Sequence, residues 1–516
     1  MTDSRTTFAG RWRQAVSAVP DDVFLLWEGS DGATAAWTYG AFDELVRAVA
    51  LGLQDRGVQR GERILLALRN SPAFVAVWLA AVDMGACIVP CDPQASEREL
   101  ALVIQRTLPR LGMSGGRSRA ALDAAAAQLS LATLHVDEDD VHLDELRGVR
   151  AQQQRAYTPR PSDPAAIMFT SGTTSAPKGV VVTQANYAFA GDVMAAAAAL
   201  RRGDRQLVVL PLFHANAQYY SFAAAISAGA GVALMHTFSA SGFLEQAARH
   251  QATHASLFAA PMRMILARGA TPVSGLRLRH CWYAQNVTEE QYDELSTLLG
   301  CRPRQLYGMT ETIPAVLTNP ALDPRPTAMG QQTLGCTVDL HNVDDGSPVR
   351  DGDTGEVVVG GTMGVTLFDG YLDDPRTTEQ SFRNGWFRTG DRAVRDSDGR
   401  YYFAGRGGDI LKVAGENVSA VEVEAVLAAH PAVFEAAVMG EPDPVRDEVP
   451  VAYVVLRAGA TATTDELIAW CEQRLAPAKR PRSIHLVDEL PRTSVGKIRK
   501  FMLPQLVAAG AAGERR

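Results

Sequence analysis

Two periods of apolar spacing, 3.6 and 2, follow one another along most of this chain. Phe42 to Leu53 carries its apolar residues at helical spacing. Arg63 to Leu68 (RILLAL) is a continuous apolar run of strand length, Ala73 to Met84 is a helix that Gly85 ends, and Ala86 to Pro90 returns to a strand. Such alternation predicts an α/β architecture of helix-covered sheets. Residues 151–164, rich in Pro and Gln, predict a linker, and the short apolar strand Ala165 to Phe169 follows directly. Alanine runs at 120–127 and 195–199 favour helix over disorder, and no repeat is present.

The texture changes near residue 405. Pro, Gly and acidic turn residues dominate 341–400, and after Gly405-Arg406-Gly407-Gly408-Asp409 the chain brings strands of its own at 432–440 and 449–456 and helices at 421–430 and 464–475. The expected division is a large N-terminal domain over 1–405, a hinge at 406–408 and a small mobile α+β domain over 409–516. A length of 516 residues, too great for one compact core, agrees with this.

Composition narrows the function classes. With 47% apolar and 21% charged residues the chain is a folded protein, and a net charge of −8 argues against nucleic acid as the main partner. Six scattered cysteines, with no second Cys/His pair at zinc spacing after Cys87 and Cys91, predict reduced thiols in a cytoplasmic protein. The N-terminal stretch lacks the apolar run of a signal peptide. The most apolar segment, Phe74 to Pro90, is interrupted by Asp83 and Gly85 and is too short to span a bilayer, so no membrane partner is expected.

The candidate chemistry starts at Thr170-Ser171-Gly172-Thr173-Thr174-Ser175-Ala176-Pro177-Lys178-Gly179. Small hydroxyl residues and glycines let backbone N–H groups close around phosphate oxygens, and a lysine adds charge. Gly179 follows the lysine where a Walker A loop has Ser or Thr. A plain surface loop is the other reading of this stretch alone. Four further motifs follow in order: Leu210-Pro211-Leu212-Phe213-His214, Leu306-Tyr307-Gly308-Met309-Thr310-Glu311-Thr312, Gly385-Trp386-Phe387-Arg388-Thr389-Gly390-Asp391, and Pro491-Arg492-Thr493-Ser494-Val495-Gly496-Lys497. Together the five resemble the superfamily of acyl-CoA synthetases, peptide-synthetase adenylation domains and luciferases, over about residues 20–505.

The resemblance implies an ATP- and Mg²⁺-dependent ligase that joins a carboxylic acid to AMP, releases pyrophosphate and passes the acyl group on. It implies that Thr170, Ser171, Gly172, Thr173, Thr174 and Lys178 hold phosphates, that Thr310 touches the α-phosphate and that Glu311 binds the metal ion. Tyr307 would pack on adenine, and Asp391 and Arg406 would hold the ribose. Judged singly, Asp391 is also a turn residue and Glu311 a helix N-terminal carboxylate. Lys497 would bridge the substrate carboxylate and the α-phosphate, a task for a mobile point charge, while Arg492, Arg499 and Lys500 beside it read as a solvated basic face. His214, placed after a buried strand LVVLPLF, would gate the acyl pocket. Gly408 would be the pivot of the small domain, and Gly415 would leave room for a nucleophile tunnel.

Details within the motifs are most similar to the carnitine/crotonobetaine-CoA ligase branch, with coronafacate-type amide ligases close to it. Where many members have a GGAP-like stretch, this chain has Trp282-Tyr283-Ala284-Gln285-Asn286. The expectation is an acyl-pocket wall of Trp282, Tyr283 and Ala284 facing Asn216, Gln218, Met309 and Ile313, suited to a small cyclic, aromatic or medium-chain acid. Core packing is the other reading of Trp282 and Tyr283. Two acceptors stay open, CoA and an amino-acid amine. Gly407, Gly408, Val413 and Ala414 stand where CoA-using relatives often place cations, which favours the amine. A carrier-protein thiol is a third option. A catalytically lapsed nucleotide-binding regulator is the reading from outside the enzymes.

Overall fold

The computed structural model describes residues 6–148, 157–170, 177–406, 410–413, 416–444, 446–492 and 498–506. Its first sheet runs Thr133–His135, Leu111–Ser114, Arg63–Ala67, Cys87–Pro90, Pro164–Thr170 and Lys178–Thr183, parallel until the last two strands pair antiparallel. The second is parallel through Val23–Glu28, Gly231–Met235, Arg205–Val208, His254–Phe258, His280–Ala284 and Arg304–Tyr307. It continues antiparallel through Leu317–Thr318, Ala328–Gln332, Tyr401–Arg406, Trp386–Arg395, Thr354–Gly360 and Thr337–His341.

Side-chain alternation decides which face of each strand meets the shared core. Ile64 and Leu66 join Val208, Val232, Leu234 and Trp282 in the largest cluster, between the sheets. Leu65 and Ala67 point the other way, onto Leu100, Ile104 and Leu122 of the covering helices Glu97–Thr107 and Arg119–Leu129. Leu207, Ala255, Leu257, Cys281 and Tyr283 likewise face outward, onto helices Phe243–Arg249, Ala259–Ala267 and Glu289–Leu299.

Helix Pro72–Met84 lies within the shared core, and all its residues are buried, as a segment apolar on every side requires. Ser71 caps it by accepting from the Phe74 N–H, and Pro72 sits where a missing donor costs nothing. Gly85 ends it at φ 79°, and a Cβ there would stand 2.4 Å from the Tyr157 ring. The helix expected at Phe42–Leu53 spans Tyr39–Asp55, capped by Thr38.

One expectation needs correction. Of the run LVVLPLF only Leu207 and Val208 lie in a strand, Arg205–Val208, and Pro211 has no N–H for a ladder. Leu210 to His214 is a loop held by the buried Asn70 amide, which donates to Leu210 O (3.1 Å) and Met235 O (3.0 Å) and accepts from Leu212 N (2.8 Å). The turn-rich region 341–400 also contains long strands, Thr354–Gly360 and Trp386–Arg395.

The smaller C-terminal domain has its own five-stranded sheet, Glu416–Ser419, Ile410–Val413, Asp447–Leu456 and Val433–Asp443, with Ser483–Leu486 parallel on Asp447–Leu456. Helices Ala420–Ala428 and Thr464–Glu472 supply Val423, Leu427, Leu467 and Cys471 to its core. Ser419 Oγ donates to Ala404 O (2.9 Å), tying this domain to the strand Tyr401–Arg406. Among the described residues no helix is long and apolar enough to cross a membrane.

Candidate active site

The parallel run of the second sheet ends at Tyr307, and the chain then turns through a short 3₁₀ segment, Thr310–Thr312. Met309 N donates to Thr312 Oγ1 (2.9 Å), and Ile313 follows at φ 70°, a strained conformation for a β-branched residue. This turn drives the Glu311 carboxyl inward, to 4% exposure. Its Oε1 accepts from the Tyr371 hydroxyl at 3.1 Å, while Oε2 is buried with no hydrogen-bond partner among the described residues. Burial raises the Glu311 pKa, and Tyr371, Arg406 and Lys178 only partly oppose it. A buried carboxylate oxygen left open is a fit for a hard divalent cation, which takes oxygen ligands and shares them with phosphates.

Lys178 begins the strand Lys178–Thr183, directly across the ladder from Thr170. Its ammonium stands 4.8 Å from the centroid of the Tyr371 ring. Of the remaining expected phosphate-binding residues, Ser171, Gly172, Thr173 and Thr174 lie outside the described residues, as do Gly408, Gly415 and Lys497.

Asp391 lies on the strand Trp386–Arg395, opposite Arg406. Glu356 builds the approach to it, accepting from Arg388 Nε (2.9 Å) and from the N–H of Gly390 (3.1 Å), which turns at φ 75°. Tyr307 donates its hydroxyl to Asp391 Oδ2 (2.8 Å), and Arg406 Nε is 3.2 Å from Oδ1. Burial, and next the Asp391 charge, push the Tyr307 phenol well above its ordinary range, so it stays a donor. Tyr307, Asp391 and Arg406 are thus brought together, with the ring of Tyr307 fixed by its own hydroxyl. Thr310 sits half-buried at the start of the Glu311 turn.

The acyl-pocket residues divide. Trp282 faces the shared core, 4.2 Å from His280 ring to ring and 4.6 Å beneath the Arg304 guanidinium, and its indole nitrogen has no partner among the described residues. Ile313 joins the same cluster, and Ala284 and Met309 pack against it. Tyr283 does not. Neighbouring residues of a strand point to opposite faces, and Tyr283 lies outward beside Tyr292 with its hydroxyl on Pro326 O (2.7 Å). Gln218 is also corrected: it is fully buried, takes the Tyr187 hydroxyl on Oε1 and donates to Leu212 O, so its amide is spent inside the protein. Asn216 begins the same π-helical segment, Asn216–Ala223, and accepts from Ser256 Oγ (2.8 Å). His214 stands on the Asn70-held loop, its ring 4.2 Å from that of Phe213. The expected basic face beside Lys497 is partly neutralised, because Arg492 pairs with Glu435 and Lys500 with Glu424 at 2.8 Å.

Three residues that shape the site were not singled out in the sequence: Tyr371, Asn70 and Glu356. Each acts through a partner far along the chain, and no local spacing marks that partnership.

Comparisons with known proteins identify the family and the fold. The AMP-binding enzyme family matches residues 12–372, and the AMP-binding enzyme C-terminal domain matches residues 422–497. The crotonobetaine/carnitine–CoA ligase of Salmonella agona (strain SL483) is 31% identical over 503 residues, 95% of this chain and 97% of that protein. ATP-bound MatB from Rhodopseudomonas palustris superposes with a TM-score of 0.86 at 26% identity, over 96% of this chain and 98% of that one. The O-succinylbenzoate coenzyme A synthetase MenE from Bacillus subtilis, in complex with ATP and magnesium ion, gives 0.83 at 25% identity over 96% and 99%. With a match across most of its length, a two-domain α/β fold and a buried open carboxylate in the adenylation motif, the chain belongs to the AMP-binding enzyme family, as an ATP- and Mg²⁺-dependent, AMP-forming ligase.

Proposed function

We propose that the protein activates a small cyclic, aromatic or medium-chain carboxylic acid as its acyl-adenylate and then transfers the acyl group to the thiol of CoA. The observation that carries the first step is Glu311, whose open, buried Oε2 stands on the same side chain that Tyr371 links to Lys178. Mg²⁺, when bound, neutralises phosphate charge. Glu311 holds that cation, Lys178 and the Thr170 loop bind phosphate oxygens, and Thr310 donates to the α-phosphate. The acid's carboxylate attacks the α-phosphorus, pyrophosphate leaves, and Lys497 screens the two anions as they meet. Tyr307, Asp391 and Arg406 orient the nucleoside. In the second step the thiol, losing its proton, attacks the acyl carbonyl and AMP leaves.

Trp282, Ala284, Met309 and Ile313 form the acyl wall, with Asn216 and the gating His214 opposite. The small domain turns about 406–408 between the steps, from a large domain ending at 405, and Gly415 lines the tunnel. The related CoA ligase at 31% identity supports CoA as acceptor. The second reading, an amino-acid amine, draws on Gly407, Gly408, Val413 and Ala414, which give a nucleotide acceptor no cation. A cytoplasmic setting, keeping six unbridged cysteines reduced, belongs to the same reading.

The test offers a panel of acids with Mg²⁺, ATP, CoA and amino acids together, and follows pyrophosphate and product masses. Acid-dependent pyrophosphate and a CoA thioester are expected. Amide formed at a comparable rate without CoA moves the acceptor to the amine, and no acid-dependent pyrophosphate from any member of the panel removes the adenylation reading.

A further inference from the structure

We propose that Tyr371 is a positioning residue that fixes the cation end of the site to its phosphate end, an inference that rests on the assignment of Glu311 as the cation's carboxylate. Tyr371 lies in the connection after Thr354–Gly360, far in sequence from both its partners. Its backbone is pinned to the phosphate-loop hairpin: Tyr371 bridges Val180, and Leu372 N donates to Gly179 O (2.8 Å). From the other side Tyr371 N donates to Thr378 Oγ1 (2.9 Å), and its ring packs on Phe368 with centroids 4.9 Å apart. The ring therefore has little freedom, and it is 8% exposed.

From this fixed ring come two contacts of different kinds. The hydroxyl donates to Glu311 Oε1 at 3.1 Å, and the ring face lies 4.8 Å from the Lys178 ammonium. The first occupies one carboxylate oxygen and leaves Oε2 as the oxygen open to a cation, aimed in one direction. The second holds the lysine charge by its attraction to the ring quadrupole. A single side chain thereby sets the spacing between a metal-binding oxygen and a phosphate-binding cation on elements more than a hundred residues apart. Outer partners that orient a ligand in this way commonly govern metal affinity by roughly 10- to 100-fold.

Tyr371→Phe keeps the ring and removes the O–H, while Tyr371→Leu removes both. Three readouts separate positioning from plain packing: Mn²⁺ binding in the presence of a non-hydrolysable ATP analogue, followed by electron paramagnetic resonance; binding of that analogue without metal; and the thermal midpoint. Tyr371→Phe should weaken Mn²⁺ binding by about tenfold, leave metal-free nucleotide binding unchanged and shift the midpoint by only a few degrees. Tyr371→Leu should also weaken metal-free nucleotide binding; if it does not fold, the Phe variant decides alone. Wild-type Mn²⁺ affinity in Tyr371→Phe, with Glu311→Gln having lost it, overturns the positioning role. Wild-type affinity in Glu311→Gln overturns the assignment of Glu311 beneath it.

Discussion

His254 and His280 stand on neighbouring strands with their rings 5.3 Å apart, and burial keeps both imidazoles neutral. The His254 pKa is held down to about 4, opposed in part by its bond to Ala198 O and by Asp204, while Arg279 and Arg201 add to the depression. His280 is also well below its ordinary value, with Arg304, His254 and Arg279 acting in the same direction as burial. An unfolded chain protonates both near pH 6.5. Below that pH the unfolded state binds more protons than the folded one, so stability rises with pH in this window and falls as pH drops from about 6.5 toward 4. The urea midpoint should decline over this window, with an uptake approaching two protons per molecule unfolded. Replacing His254 by Gln should remove about one of them, a contribution of at most roughly 3 kcal/mol at the acid end. A midpoint that is flat from pH 7 to pH 5 in the wild-type protein contradicts the burial of these charges as the cause.

Among the elements, the Leu210–His214 loop depends on a residue that follows a strand of the other sheet. Asn70, just past the strand Arg63–Ala67, makes three buried hydrogen bonds to the second sheet and its loop. Asn70→Ala leaves those backbone groups unpaired and should cost about 2–4 kcal/mol. It should also raise KM for the acid more than KM for ATP, because His214 loses its support; equal effects on both would show a general loosening.

The sequence made some of these elements plain and hid others. Helix Pro72–Met84 was legible because its start (Ser71, Pro72), its stop (Gly85) and its apolar run agree. Thr38 extends the preceding helix by a cap that apolar spacing does not reveal. Lys178, Glu311, Tyr307 and Asp391 were legible as motif members, although the hydroxyl bond joining Tyr307 to Asp391 was not. Trp282 and Tyr283 do not share the pocket face expected of them, because neighbouring side chains of a strand point to opposite sides. Tyr371 stayed hidden because its bond to Glu311 exists only once a late connection crosses the strand Lys178–Thr183.

At the scale of the whole molecule, the strand Tyr401–Arg406 belongs to the large sheet and Ile410–Val413 to the small one. We propose that the change of domain falls between these two strands, with Gly408 as its pivot. Proline there fixes φ and removes a donor. Gly408→Pro should hold one domain orientation, so that acid-dependent pyrophosphate release and acyl transfer from a supplied acyl-adenylate change unequally, by tenfold or more on one side as an order of magnitude. Wild-type rates in both would move the pivot elsewhere.

The buried helix Pro72–Met84 has a consequence for how the protein is made. Trp78, in its middle, packs on Phe8, Tyr187 and Phe222. Two of these three lie more than a hundred residues downstream. At translation speeds of roughly 5–20 residues per second, the helix leaves the ribosome on the order of ten seconds before Tyr187 and Phe222 can cover it. During that interval it offers a nascent-chain chaperone a thirteen-residue apolar segment with one ionisable side chain, Asp83. A segment that ends fully buried therefore waits in water until its walls have been synthesised.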